Sequence, residues 1–216
     1  MAKSCQGLNS KCFLIAYLVI VSFLLILWLT RQPLIYEDTR DIPVELQTYL
    51  RSPPQLIVPV NVKHNNEWAL TSRWLDDKWT LVYFTHGHCF PRCNNTLNKM
   101  LAFQAAYASQ DVQLLLIDID STDTAQGQLR QALQQSGINI SVAEGDEKVI
   151  TSLAQAFIAL YLKTDYSDGS YEIEQEHNLF IVDPKSRVYA TFKESVSSLT
   201  INQAFLQLRS FYAQTE

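Results

Sequence analysis

A run of eighteen residues without a charge, CFLIAYLVIVSFLLILWL at 12–29, divides this 216-residue chain into unequal parts. With its flanks such a run is long enough to cross a bilayer as a helix, which satisfies its backbone polar groups within the segment. Lys3, Lys11 and the amino terminus precede it, whereas Arg31, Glu37, Asp38 and Arg40 roughly cancel after it. The positive-inside bias leaves residues 1–11 in the cytoplasm and puts everything after Arg31 outside. A cleaved signal is the alternative, but its apolar region is usually about 7–15 residues long and is followed by a small-x-small site. No such site follows Leu29. A mitochondrial presequence would be Arg-rich and amphipathic, and residues 1–11 are neither. The expectation is a single-pass anchor over 12–30 in a bacterial inner membrane, with the larger C-terminal part in the periplasm.

Residues 32–59 carry five of the seven prolines and little periodicity, so 31–60 reads as a tether and 61–216 as one folded domain. Apolar residues make up 47% of the chain, enough for a packed core, while a net charge of -5 leaves no basic stripe for nucleic-acid phosphates. Within the domain, residues 80–84 (TLVYF) predict a strand, and 94–108 place Leu97, Met100, Leu101 and Ala105 at helical spacing. Residues 112–119 (VQLLLIDI) are nearly continuous in apolar side chains, as a strand covered on both faces requires. Residues 124–135 predict a second helix, 138–142 a short strand and 146–162 a third helix. Residues 178–182 and 188–192 predict a hairpin about Asp183-Pro184-Lys185-Ser186, and 200–212 a closing helix. The order βαβαβαββα combines βαβ crossovers with an antiparallel hairpin and a final helix. That is the thioredoxin-like α/β layout, a mixed central sheet flanked by helices.

The membrane topology sorts the four cysteines. Cys5 and Cys12 fall on the reducing side or at the membrane edge and read as ordinary thiols. Cys89 and Cys93 fall in an oxidising compartment, where a structural disulfide is one natural reading. They lie in FTHGHCFPRCNNTL, where the first core strand hands over to the first helix. If that helix begins near Cys89, positions i and i+4 share a face, with β-carbons about 5–6 Å apart. The pair can then bind one metal ion or close into a disulfide. A helix N-terminus and Arg92 both favour thiolate over thiol. Asn94-Asn95-Thr96 is a glycosylation sequon of consequence only in a eukaryotic secretory pathway.

A metal needs a third ligand. His64 reads as a solvated side chain, and His86 and His88 flank Gly87 with the same facing. His177 stands before the strand NLFIV and, by pattern alone, reads as a surface or satisfied side chain. Two thiolates and one imidazole form a soft set that suits copper, and zinc remains open if His86 or His88 completes four ligands.

From Thr80 to Phe192 the chain resembles the Sco/SenC family of membrane-tethered, thioredoxin-like copper proteins. The resemblance lies in LVYFTHGHCFPRCNNTL, LLLIDIDSTDT, EGDEKVITSLAQAF and EHNLFIVDPKSRVYATF, in the family's order. It implies copper ligands at Cys89, Cys93 and His177, and so reverses the reading of His177. The chain departs from the family pattern at Phe90, Pro91, Arg92 and Asn94, where the family usually has proline after the first cysteine, an acidic residue next and proline after the second. There is also one residue fewer between the aspartates.

The resemblance implies a copper metallochaperone, not an enzyme. Its partners would be the copper-centre subunit of a respiratory cytochrome c oxidase and other periplasmic copper or thiol-redox proteins. The alternative is a periplasmic thiol–disulfide oxidoreductase that keeps a partner's metal-binding cysteines reduced, with Cys89 attacking and Cys93 resolving. A peroxide-reducing enzyme would not need His177, and neither would a structural disulfide in a binding module.

Overall fold

The computed structural model describes residues 10–30, 41–64, 67–107, 111–122, 125 and 127–216. The chain divides into two compact units, Met1–Glu37 and Asp38–Glu216. In the first, α1 (Ser10–Thr30) is one helix of 21 residues. Side chains are described over 14–27 of it, and Leu14, Ile15, Leu18 and Phe23 are more than half exposed. Among the described residues no helix is long and apolar enough to cross a membrane.

The second unit contains β1 (Leu50–Leu56), β2 (Asn61–His64), β3 (Glu67–Leu70), α2 (Ser72–Leu75), β4 (Trp79–Thr85), α3 (Asn94–Tyr107), β5 (Val112–Asp118), α4 (Gln128–Gln135) and β6 (Ser141–Glu144). It continues with α5 (Glu147–Phe157), β7 (Tyr161–Asp165), β8 (Tyr171–Gln175), β9 (Leu179–Val182), β10 (Arg187–Phe192) and α6 (Ser198–Thr215). Among the described residues the main sheet runs β1-β10-β9-β4-β5-β6-β2-β3, and β7 and β8 form a separate hairpin. At its centre β4 runs parallel to β5 and antiparallel to β9, and β5 runs parallel to β6. The fold is mixed α/β and thioredoxin-like.

Every residue of β4 is buried. Alternation sends Leu81 and Tyr83 into one core, shared with α3, α4 and α6, and Val82 and Phe84 into another, shared with α2 and α5. A strand that feeds two cores reads as unbroken hydrophobicity, which is the pattern of TLVYF. Each helix adds an apolar stripe. Met100, Phe103 and Tyr107 of α3 meet Phe205 and Leu208 of α6, with the Phe103 and Phe205 rings 4.8 Å apart. At the β9–β10 turn the buried Asp183 carboxylate accepts from the Lys185 and Arg187 backbone amides, at 3.0 and 2.9 Å, and pairs with the Arg187 guanidinium.

Two expectations are corrected. Residues 46–57, read from sequence as tether, belong to the folded unit: Leu46 and Ile57 are buried, and β1 pairs with β10 at the sheet edge. Its Pro53 and Pro54 break a strand pattern, but an edge strand tolerates residues that cannot donate to a ladder. The third helix ends at Phe157 rather than 162. Ile158 takes a left-handed conformation (φ 54°), and Ala159 N–H donates to the Ala154 carbonyl at 2.8 Å, closing the helix as a glycine would. Of the residues released, Tyr161 and Leu162 open β7, one half of a hairpin that the expected elements do not include. Elsewhere the boundaries shift by a few residues: the short strand lies at Ser141–Glu144 and the second helix begins at Gln128. The expected helix ends at Ala108 and Thr124 lie outside the described residues.

If residues 46–57 are core, truncating Leu46 must cost far more than truncating its neighbour Val44, which is 1% against 76% exposed. Leu46→Ala is expected to lose about 2–5 kcal/mol in urea unfolding, the range for a buried leucine. Val44→Ala should stay within about 0.5 kcal/mol.

Candidate metal and thiol centre

The cysteines sit at the junction of β4 and α3. After Thr85 the chain makes a single 3-10 turn, Gly87–Cys89, then passes Phe90, Pro91 and Arg92 before α3 starts at Asn94. The helix does not begin near Cys89, as the sequence pattern suggested. Phe90 precedes a proline and is extended (φ -64°, ψ 135°), since proline sterically disfavours the helical region in the residue before it. The pair is brought together all the same. Cys93 N–H donates to the Cys89 carbonyl at 3.3 Å, and Leu97 N–H donates to the Cys93 carbonyl at 3.0 Å. The Cα atoms are 5.6 Å apart and the sulfurs are joined in a disulfide. Both cysteines are buried. The Thr85 hydroxyl lies 2.9 Å from Cys89 Sγ, placed to donate to a thiolate once the bridge is reduced.

Gly87 sets the turn against α4. A β-carbon there would fall 2.8 Å from Gln128 Cβ and 2.9 Å from the Leu129 nitrogen, so a larger residue would force the turn off the helix start.

His177 lies between β8 and β9. Its Nδ1 is 2.5 Å from Tyr83 Oη and 3.2 Å from Gln175 Nε2, and Gln175 also donates to Tyr83 Oη and to the Phe84 carbonyl, each at 3.0 Å. Tyr83 is fully buried, and that burial pushes its hydroxyl pKa up, so it stays protonated. In the tautomer whose Nδ1–H donates to Tyr83 Oη, the Nε2 lone pair is left for a metal or another partner. Ligating histidines are commonly oriented through their second nitrogen in this way.

Cys89 and His177 line one cavity of about 260 Å³, with His86, Arg92 and Gln175 around them. Cys93 is attached to it through the disulfide. A second cavity, of about 290 Å³, adds His88 and Tyr171 and shares His86 and Arg92 with the first. His86 is buried, and burial lowers its pKa to about 4, so its ring is neutral. His88 is exposed. His64 stands apart on β2, stacked at 4.8 Å on Trp74 rather than fully solvated. Cys5 lies outside the described residues. While Cys89 and Cys93 are joined, no three His, Cys, Asp or Glu side chains among the described residues are gathered to hold a metal. Reduction would turn one bridge into two soft donors facing an oriented imidazole, which fits copper by donor type.

Sequence reasoning missed Tyr83, Thr85, Gln175 and the β7–β8 hairpin. The hairpin had a legible signal: alternating YLKTD and YEIEQ flank Asp168-Gly169, and Gly169 is left-handed (φ 84°). The side chains beneath it had none, because their roles come from strand packing.

Behind the site β5 ends in an acidic turn. Tyr171 Oη donates to Asp120 Oδ2 at 2.6 Å, and the Asp120 N–H donates to Asp118 Oδ1 at 3.0 Å. Burial pushes the Asp118 carboxyl up to about 8, against the Asp120 N–H bond that lowers it and with help from the Asp120 and Glu144 charges.

The chain matches the SCO1/SenC family model over residues 51–208. It belongs to the SCO1/SenC family. The Arabidopsis thaliana mitochondrial protein SCO1 homolog 1 is 24% identical over 148 residues, covering 66% of this chain and 44% of that relative. The chain thus spans less than half of that relative's length. The crystal structure of Arabidopsis thaliana ScoI with copper bound is similar, with a TM-score of 0.61 at 20% identity over 71% of this chain and 97% of that one. So is BsSco, described as having a disulfide switch and as a member of the Sco family of cytochrome c oxidase assembly proteins. Its TM-score is 0.57 at 12% identity, covering 74% of this chain and 95% of that one. At these identities the structures establish a common fold.

The Asp118 shift predicts a pH dependence. Between pH 3.8, its unperturbed value, and about 8 the folded state keeps a proton that the unfolded state has lost. Stability should therefore fall as pH rises through this window, with a slope of up to about 1.4 kcal/mol per pH unit from this group. Asp118→Asn should flatten that slope in urea melts taken from pH 5 to 8.

Proposed function

We propose that this chain is a membrane-anchored copper chaperone that binds copper(I) on Cys89, Cys93 and His177 and supplies it to the copper-centre subunit of an assembling cytochrome c oxidase. The observation that carries the proposal is the shared cavity of Cys89 and His177, with the imidazole oriented by the Nδ1 contact to Tyr83 Oη. A pair of cysteines meant only to staple the fold would not need an oriented histidine opposite it. Family membership supports the reading, as does the relative whose structure carries copper. The disulfide then acts as a gate. A partner dithiol reduces it, becoming a disulfide itself, and the two thiols lose their protons as copper binds.

The second reading, a thiol–disulfide oxidoreductase acting through Cys89 and Cys93, is favoured by the closed disulfide at a strand–helix junction. His177 separates the two. In the reduced full chain Cys89→Ser, Cys93→Ser and His177→Ala should each weaken copper(I) binding at least about 10-fold in chelator competition, since each removes one of three donors. His177→Ala should leave disulfide formation intact, as shown by mass spectrometry after alkylation. A His177→Ala strain that assembles its oxidase normally at limiting copper would sink the chaperone reading and favour dithiol exchange.

The uncharged run at 12–29 and the Lys3/Lys11 bias support a single-pass anchor over 12–30 in a bacterial inner membrane, with the N-terminus cytoplasmic and the copper domain periplasmic. A reporter active only outside the cytoplasm, fused after Glu216, should be active and stay with the membrane at high salt. Recovery of a processed, soluble form would show a cleaved signal instead.

A further inference from the structure

His86 and His88 both line the outer cavity, with ring centroids 6.4 Å apart. His86 is 4% exposed, and its buried Nδ1 has no hydrogen-bond partner. Such an atom calls for a partner that is bound only part of the time. The His88 side chain is 59% exposed, with Nδ1 4.0 Å from the Asp120 carboxylate. That carboxylate is itself fixed by Tyr171 at 2.6 Å and by the Thr122 hydroxyl at 3.0 Å. At 4.0 Å the contact is electrostatic rather than a hydrogen bond, but it places a carboxylate on the Nδ1 side of the ring, where a metal-binding histidine commonly has its support.

We propose that His86 and His88 form a second copper(I) site, a two-coordinate imidazole pair that is separate from Cys89, Cys93 and His177 and open even while the cysteines are oxidised. The inference rests on the copper reading above for the identity of the metal. No third His, Cys, Asp or Glu is gathered with the pair among the described residues. Two nitrogens suffice for a closed-shell monovalent ion, whereas zinc takes four ligands. An ion in line between the rings lies one ring radius plus a bond of about 2 Å from each centroid, a span of roughly 6 Å. The observed separation is close to that span. The spacing is held by the backbone, because Gly87 between the two histidines is wedged against Gln128 and Leu129. His86 also lines the inner cavity beside Cys89, so an ion on the pair is one ring away from the thiolate site.

The test uses the full chain with Cys5 and Cys12 replaced by serine and the Cys89–Cys93 bridge intact. It is titrated anaerobically with copper(I) against a chromogenic chelator. One copper(I) per chain is expected, and nitrogen NMR should place it on the His86 and His88 rings. His88→Ala, which removes an exposed ring not needed for packing, should weaken binding at least about 10-fold. His86→Asn should do the same, and His177→Ala should leave this site unchanged. Retention no greater than in His88→Ala, or loss of the ion on His177→Ala, would overturn the proposal. The reduced chain reports separately on the thiolate site. Loss of its copper on His177→Ala, with none held by the oxidised chain, would refute the imidazole pair alone. Copper held by the oxidised chain, with a reduced chain indifferent to His177→Ala, would refute the thiolate site alone.

Discussion

Burial of β4 on both faces is the constraint on which the rest of this molecule depends. Its seven residues are closed off by β9 on one side, by β5 on the other, and by helices above and below. A strand so enclosed has one register, since a slip by one residue would exchange the Leu81/Tyr83 face for the Val82/Phe84 face and disrupt both cores. The same fixed register delivers Thr85, His86 and the cysteine turn to one end of the sheet. It also puts the Tyr83 hydroxyl beneath His177. Core packing and the orientation of the site are therefore one interaction seen from two ends.

The turn after β4 is shaped by two residues with opposite effects. Pro91 holds Phe90 out of the helical region and delays α3 to Asn94, so both cysteines precede the helix rather than ride on it. Gly87 lets the turn press against the start of α4 where a side chain would collide. Between them the sulfurs close into a buried bridge with the Thr85 hydroxyl beside it. Arg92 borders both cavities, which Glu172 and Glu174 also line, so one positive charge stands where the family usually carries an acidic residue. That charge favours thiolate over thiol.

The β7–β8 hairpin joins the sheet end to the acidic turn. Tyr171 bonds to Asp120, and Gln175 bonds to Tyr83, Phe84 and His177. The hairpin therefore connects the copper ligand proposed at His177 to the carboxylates that end β5. Its existence follows from the unexpected stop of α5 at Ile158. An isoleucine in a left-handed conformation carries no sequence signal, and the apolar stripe of α5 runs on past it into Leu160 and Leu162, both exposed in the structure.

Sequence alone determined the order of strands and helices from β4 to α6, the β7–β8 hairpin excepted, the double-sided burial of β5, and the place of Cys89 and Cys93 at the β4–α3 junction. These are local periodicities, and hydrophobic burial enforces them wherever the chain folds. The pairing of His177 with the cysteines came from family resemblance, because pattern alone read it as a surface side chain. Tertiary structure alone decided that 46–57 pack as core despite their prolines, that the hairpin covers the site, and that Tyr83, Gln175, Thr85 and Asp120 serve it. Those roles depend on contacts between residues far apart in the chain, such as Tyr83 with His177, and no local spacing encodes a contact made only when two strands pair.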